Sequence, residues 1–123
     1  MLDVWSTVSV QGNAFIQEAV DGGAHCLHVL GDLDIANVRE FEAAVASAVR
    51  GGNRLVLDLS QCSFIDCSAL TVLVRTYERL GKRLCVVTGS QGVVTFLFEL
   101  TGLGQWLPVV PTLAQAFGSA ASC

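Results

Sequence analysis

Residues 54–70 read RLVLDLSQCSFIDCSAL. The first six, Arg54 to Leu59, are nearly all apolar and lack the alternation of a half-exposed strand. Such a run suits a strand buried on both faces. Residues 60–66 then read as a short loop, with Ser60 and Ser63 as ordinary turn formers. From 67 to 80 the apolar residues take helical spacing. Strand, short loop and helix in this order form the repeating unit of a parallel α/β sheet. Ligands and partners of such sheets gather at the carboxyl ends of the strands.

Working outward, residues 14–19 and 25–30 alternate and predict two strands. The turn residues Val20 to Ala24 between them make an antiparallel hairpin. Val38, Phe41, Val45 and Ala48 share one face of a helix over 35–50, with Asp34 as its N-cap and Gly51-Gly52 as its stop. A strand over 83–88 follows the helix 67–80. Ser90 is placed to cap a helix over 91–101, which Gly102 ends. That helix is apolar almost all round, and a C-terminal helix bearing Leu113 and Phe117 is expected to cover it. The strand 106–110 contains Pro108, which lacks a donor and belongs on an edge. Pro111 suits the first position of a last helix over 112–117. The predicted order ββαβαβαβα gives an α/β fold: a mostly parallel sheet of about five strands, an antiparallel N-terminal strand and about four flanking helices. One domain spans 1–123, with its core at about 14–117 and a flexible tail at 118–123.

The chain has 123 residues, 52% of them hydrophobic, with 7 basic and 11 acidic side chains and a net charge of −4. No basic run exists to neutralise phosphates or anchor the chain at an anionic membrane. Nucleic acid is therefore not an expected partner. Charged and polar residues interrupt every apolar stretch before it could span a bilayer, and Met1 to Gln11 has no signal-peptide pattern. A cytoplasmic location is expected. The five cysteines are Cys26, Cys62, Cys67, Cys85 and Cys123. They form no C-x-x-C pair, so reduced thiols are expected and neither a metal nor another cofactor. Cys26 and Cys85 read as small buried hydrophobes.

The chemistry concentrates at residues 66–70. Ser68 falls in the first turn of its helix, where unpaired backbone N–H groups and the positive dipole end favour negative charge. Asp66 either caps that helix or orients Ser68. Asp58, late in the buried strand, is placed to tie down loop amides. A wheel at 100° per residue turns Leu70, Leu73, Val74, Tyr77 and Leu80 inward. It sets Ser68, Val72, Arg75 and Arg79 on the opposite side, as a docking stripe with a modifiable hydroxyl at its edge. A serine near a helix start is, however, commonly only a cap.

Over about residues 14–117 the chain resembles the STAS domains, and among them the bacterial anti-sigma factor antagonists. The matching pieces are GDLD at 31–34, LVLDLS at 55–60, FIDCSAL at 64–70 and LTGL at 100–103. The resemblance implies partner switching. An unphosphorylated antagonist binds an anti-sigma factor that is also a serine kinase of the histidine-kinase-like ATPase type, and a sigma factor is freed. Phosphorylation by that kinase releases the antagonist, and a phosphatase resets it. The family's acceptor serine aligns with Ser68, and its partner-surface loop aspartate with Asp34. Asp66, Cys67, Ala69, Val72, Arg75 and Arg79 complete the expected partner-binding set. Cys67 stands where the family has a first serine. Ala69 stands where it has a glycine, so that an added methyl is expected to obstruct close approach of a partner.

Two other readings remain open. One is a STAS regulatory subunit of a membrane transporter, of the ABC lipid or the anion type. The other is a thiol or redox protein built on Cys67, whose position at a helix N-terminus favours a thiolate. A thiol catalyst wants a neighbouring base, and His25 and His28 fall on an early strand with no derivable path to Cys67. An enzyme is accordingly not expected.

Overall fold

The computed structural model describes residues 6–9, 14–21, 23–50 and 52–118. Strands β1 (Ser6–Ser9), β2 (Ala14–Asp21) and β3 (Ala24–Leu33) form an antiparallel meander. At the tip of the β2–β3 hairpin Gly23 takes a φ of 84°, a conformation open to glycine without strain. Beyond β3 the chain alternates. It runs through α1 (Val38–Ala48), β4 (Arg54–Ile65), α2 (Cys67–Leu80), a 3-10 turn at Gly81–Arg83, β5 (Leu84–Val87), α3 (Val93–Thr101), α4 (Leu103–Trp106), β6 (Val109–Val110) and α5 (Leu113–Gly118).

The six strands lie in chain order, β1 to β6, and β3 to β6 are parallel to one another. Right-handed crossovers that all step the same way across a sheet place their helices on the same face. One large core results. Phe41 and Val45 of α1, Leu73 of α2 and Phe98 of α3 pack against Ile16, Leu27, Leu55, Leu57 and Leu84 of the strands. Phe41 is fully buried, and truncating such a side chain to alanine costs about 3–5 kcal/mol. The opposite face carries a smaller cluster, in which Ala116, Leu113 and Phe117 of α5 meet Cys26, Val56, Cys85 and Val87.

The expected mixed sheet is present, with differences at its margins. Among the described residues there are six strands because the short segment Ser6–Ser9 pairs with β2, and five α-helices because α4 follows α3 directly. Helix α1 starts at Val38, not 35, and α3 at Val93, with Gly92 rather than Ser90 at its cap position. Thr112 caps α5, accepting from the Gln115 N–H, so Pro111 lies outside that helix. Because α5 packs on the other side of the sheet, it does not cover α3, and Val93, Phe96 and Leu100 remain exposed. Gly118 ends α5; the rest of the expected tail, 119–123, lies outside the described residues, as do 1–5.

Candidate functional site

Strand β4 runs on to Ile65, through the segment expected to be a loop. It does so by two register shifts against β3, one between the pairs His28–Asp58 and Leu30–Gln61, the other between Gly31–Cys62 and Asp32–Phe64. Each shift adds a residue to β4 and re-aims the side chains that follow. The inward positions become Leu59, Cys62 and Ile65, three apart instead of two, while Ser60, Gln61, Ser63 and Phe64 face solvent. Phe64, at 46% exposure, therefore stands outward beside the carboxyl end of β3.

Asp66 joins the two neighbouring strand ends. Its backbone N–H donates to the Leu33 carbonyl at 3.1 Å. Its extended backbone makes it the N-cap of α2, with Oδ1 accepting from the Ala69 N–H at 3.2 Å. The same Oδ1 accepts the Ser68 hydroxyl at 2.5 Å, and Oδ2 accepts the Ile35 N–H at 3.1 Å. The two roles weighed for Asp66 thus coexist. Partial burial pushes its carboxyl up, but the bonds from Ser68, Ala69 and Ile35 outweigh that and hold it below the usual range. Asp66 is an ionised acceptor at neutral pH.

The β3–α1 loop is braced from within. Asn37 is fully buried; its Oδ1 accepts the Asp34 N–H at 3.0 Å and its Nδ2 donates to the Asp32 carbonyl at 2.7 Å. Asp34 does not cap α1. Its Oδ1 accepts from the Ala36 N–H at 2.9 Å within the loop, and Asn37 holds the cap position. Between them Ile35 projects with 80% of its surface exposed. Ile35 and Phe64 were not singled out from sequence; two large apolar residues beside a polar signature were the available signal.

Helix α2 is rotated from its expected orientation. Ala69, Val72, Leu73, Thr76 and Leu80 are the buried residues, and Leu70 and Tyr77 are only half-buried. Val72, expected outward, is 4% exposed and belongs to the core. Ala69 is fully buried, so its methyl faces the sheet and not a partner. Wheel geometry accounts for the split: Ser68, Arg75 and Arg79 stay nearly in line, while Val72 is turned about 40° toward the core. Cys67, Thr71, Arg75 and Arg79 are exposed and Ser68 is half-buried. Arg75 pairs with Glu42 of α1 at 3.6 Å, an exposed contact worth little.

Asp58 does tie down a neighbour, accepting the Ser60 N–H at 3.0 Å and the Ser60 hydroxyl at 2.6 Å on Oδ1. Its Oδ2 meets His28 Nδ1 at 2.5 Å, and His25 Nδ1 lies 3.1 Å from Glu18 Oε2. Both imidazoles are thus engaged with carboxylates on the strands. Cys26 is buried, and burial together with the nearby Asp58 charge pushes its thiol up to about 12. Burial also raises the Cys62 thiol. Cys67 is an exposed free thiol. Cys85 is buried in the cluster beneath α5. Among the described residues no cluster of three or more His, Cys, Asp or Glu side chains could hold a metal, and no helix is long and apolar enough to cross a membrane.

The STAS domain family model matches residues 16–116. The anti-sigma-F factor antagonist RsfA of Mycobacterium tuberculosis is 30% identical over 98 residues, which are 76% of this chain and 77% of that protein. The crystal structure of an anti-sigma factor antagonist from Mycobacterium paratuberculosis aligns with a TM-score of 0.80 at 28% identity, over 92% of this chain and 98% of that one. The Bacillus cell fate determinant SpoIIAA, solved in its phosphorylated form, has a likeness of fold alone: TM-score 0.58 and 17% identity, over 94% and 97% of the two chains. With its sheet, its crossovers and more than three-quarters of its length inside the family pattern, the chain belongs to the STAS domain family.

Proposed function

We propose that this protein is an anti-sigma factor antagonist controlled by phosphorylation of Ser68. The observation that carries the reading is the Ser68 hydroxyl, donated to Asp66 at the start of α2 and set beside the exposed Ile35 loop. The names of the mycobacterial relatives support an anti-sigma factor as partner and favour this reading over a transporter subunit. The partner is an anti-sigma factor that is also a serine kinase of the histidine-kinase-like ATPase type. Asp34, Asp66, Cys67, Arg75 and Arg79 supply polar contacts, while Ala69 and Val72 act from beneath by fixing the pitch of α2. The protein works in the cytoplasm as a single domain and a binding module, not as an enzyme.

The chemistry is a phosphoryl transfer in which the kinase contributes ATP. The Ser68 Oγ–P bond forms, the bond from the γ-phosphorus to the β–γ bridging oxygen breaks, ADP leaves and the hydroxyl proton is released. Asp66 is a weak base because its carboxyl is held low; its part is to aim a lone pair of the hydroxyl oxygen at the incoming phosphorus. The product carries about −1.5 to −2 charges beside an ionised carboxylate. Burying that pair against a nucleotide-loaded partner is unfavourable, so the complex separates. A phosphatase acting on phospho-Ser68 closes the cycle.

The test pairs two variants with the cognate kinase. Ser68→Ala should bind as the wild type does and resist release by ATP. Ser68→Asp should bind at least about a hundredfold more weakly, or roughly 2.7 kcal/mol. Phosphate incorporated into Ser68→Ala would mean that the acceptor lies elsewhere.

A further inference from the structure

The carboxylate that holds Ser68 also holds the β3–α1 loop, with a different oxygen for each. Oδ1 takes the Ser68 hydroxyl and the Ala69 N–H; Oδ2 takes the Ile35 N–H from a residue 31 positions earlier in the chain. From these contacts we infer that Asp66 is a latch: a phosphate on Ser68 dislodges the carboxylate, frees the Ile35 N–H and so unseats the exposed Ile35 loop. This rests on Ser68 as the acceptor and adds a second consequence to its phosphorylation, at a neighbouring loop as well as at the modified side chain.

Phosphorylation replaces the hydroxyl proton with a phosphoryl group, so the donor that Oδ1 accepted no longer exists. In its place stands a dianion within contact distance of an ionised carboxylate, and two such groups repel strongly where water is partly excluded. The Ala69 N–H, at the helix start, is free to satisfy the phosphate in place of Asp66. Ile35, on a different loop, depends on Asp66 Oδ2. Its N–H is the point where the loop is tied to the start of α2, and its side chain is 80% exposed. The internal brace on Asn37 keeps Asp34 in its turn, and Asp34 in turn holds the Ala36 N–H, so the freed motion is confined to Ile35.

Amide exchange measured by NMR tests the latch without a kinase. Phosphoserine incorporated at position 68 during translation supplies the modification directly, so an error about the natural kinase cannot be mistaken for an error about the latch. The Ile35 amide should exchange at least about tenfold faster than in the unmodified protein, while the Leu73 and Phe41 amides, within helices, do not change. Ser68→Ala removes the hydroxyl without adding charge and should leave Ile35 protected. Asp66→Ser retains a capping hydroxyl but is too short to reach Ile35, so it should speed Ile35 exchange while Ala69 stays protected. Unchanged Ile35 exchange with phosphoserine at position 68 would overturn the latch, as would unchanged exchange in Asp66→Ser.

Discussion

His28 and Asp58 sit opposite one another on the parallel strands β3 and β4, and their side chains meet Nδ1 to Oδ2 at 2.5 Å. Asp58 is 1% exposed and His28 17%. Burial pushes the Asp58 carboxyl up, but the bonds from His28 and Ser60 more than offset it, so the carboxyl is held below its usual range. Removing His28 leaves a buried carboxylate that has lost its imidazole partner and is held by Ser60 on Oδ1. His28→Ala should therefore cost about 2–3 kcal/mol, read as a lower urea midpoint at pH 7. The sign of the pH dependence follows from the depressed carboxyl. The unfolded chain binds the proton first as pH falls, so the stabilisation is complete above the ordinary carboxylate value of about 4 and fades below it. Asp58→Asn should flatten the loss of stability as the pH falls below about 4. A variant as acid-sensitive as the wild type would assign that loss to other groups.

The buried methyl of Ala69 carries a second prediction. At 0% exposure it fills core space beneath the first turn of α2. Ala69→Gly should lower stability by about 1 kcal/mol through helix propensity and lost packing. It should leave the rate of Ser68 phosphorylation unchanged, because no methyl is removed from the surface. A several-fold faster phosphate incorporation in Ala69→Gly would restore the methyl as an obstacle to the partner.

The expected and observed orientations of α2 differ for a reason visible in its residues. Leu70, Val72, Leu73, Val74, Tyr77 and Leu80 cover so much of the wheel that two inward faces compete. The largest residues favoured the wrong one. The structure buries Ala69 and Thr76 instead, and Thr76 is acceptable inside because its hydroxyl donates to the Val72 carbonyl at 2.7 Å. Tyr77 finds an edge-to-face partner in Trp106 of α4, 5.0 Å between ring centres, and α4 was not anticipated. The strand–helix alternation was legible because it depends on local periodicity. The His28–Asp58 pair was not, since it depends on strand register across 30 residues. The two bulges in β4 hid for a related reason: they turn a period of two into spacings of three, which reads as a loop.

The thiols separate by environment. Cys67 is exposed at the start of α2, whereas Cys26 is fully buried with its thiol pushed up to about 12, and Cys62 is 7% exposed. Alkylation needs an accessible thiolate. Brief treatment of the native protein with iodoacetamide should label Cys67 and spare Cys26 and Cys62, read by peptide mass spectrometry. Cys67→Ser should keep partner binding within about twofold, since the reading gives the sulfur no chemistry of its own. Loss of function in Cys67→Ser, restored in the wild type by reductant, would instead favour a thiol-based role.

Ile35 offers the most direct test of the docking surface. An isoleucine at 80% exposure contributes little to folding, so Ile35→Ser should change stability by less than about 0.5 kcal/mol. Its position beside Ser68, with its N–H fixed on Asp66, is that of an apolar anchor surrounded by charged residues. Burying such a side chain in a partner's pocket is worth about 1.5–3 kcal/mol. Ile35→Ser should therefore weaken binding to the anti-sigma factor by at least about tenfold in calorimetry. Arg79→Ala, three turns from Ser68 at the far end of α2, should weaken it by less than about threefold, as expected for an exposed charge at a rim. The reverse ranking would move the centre of the interface from the strand ends to the far end of the helix.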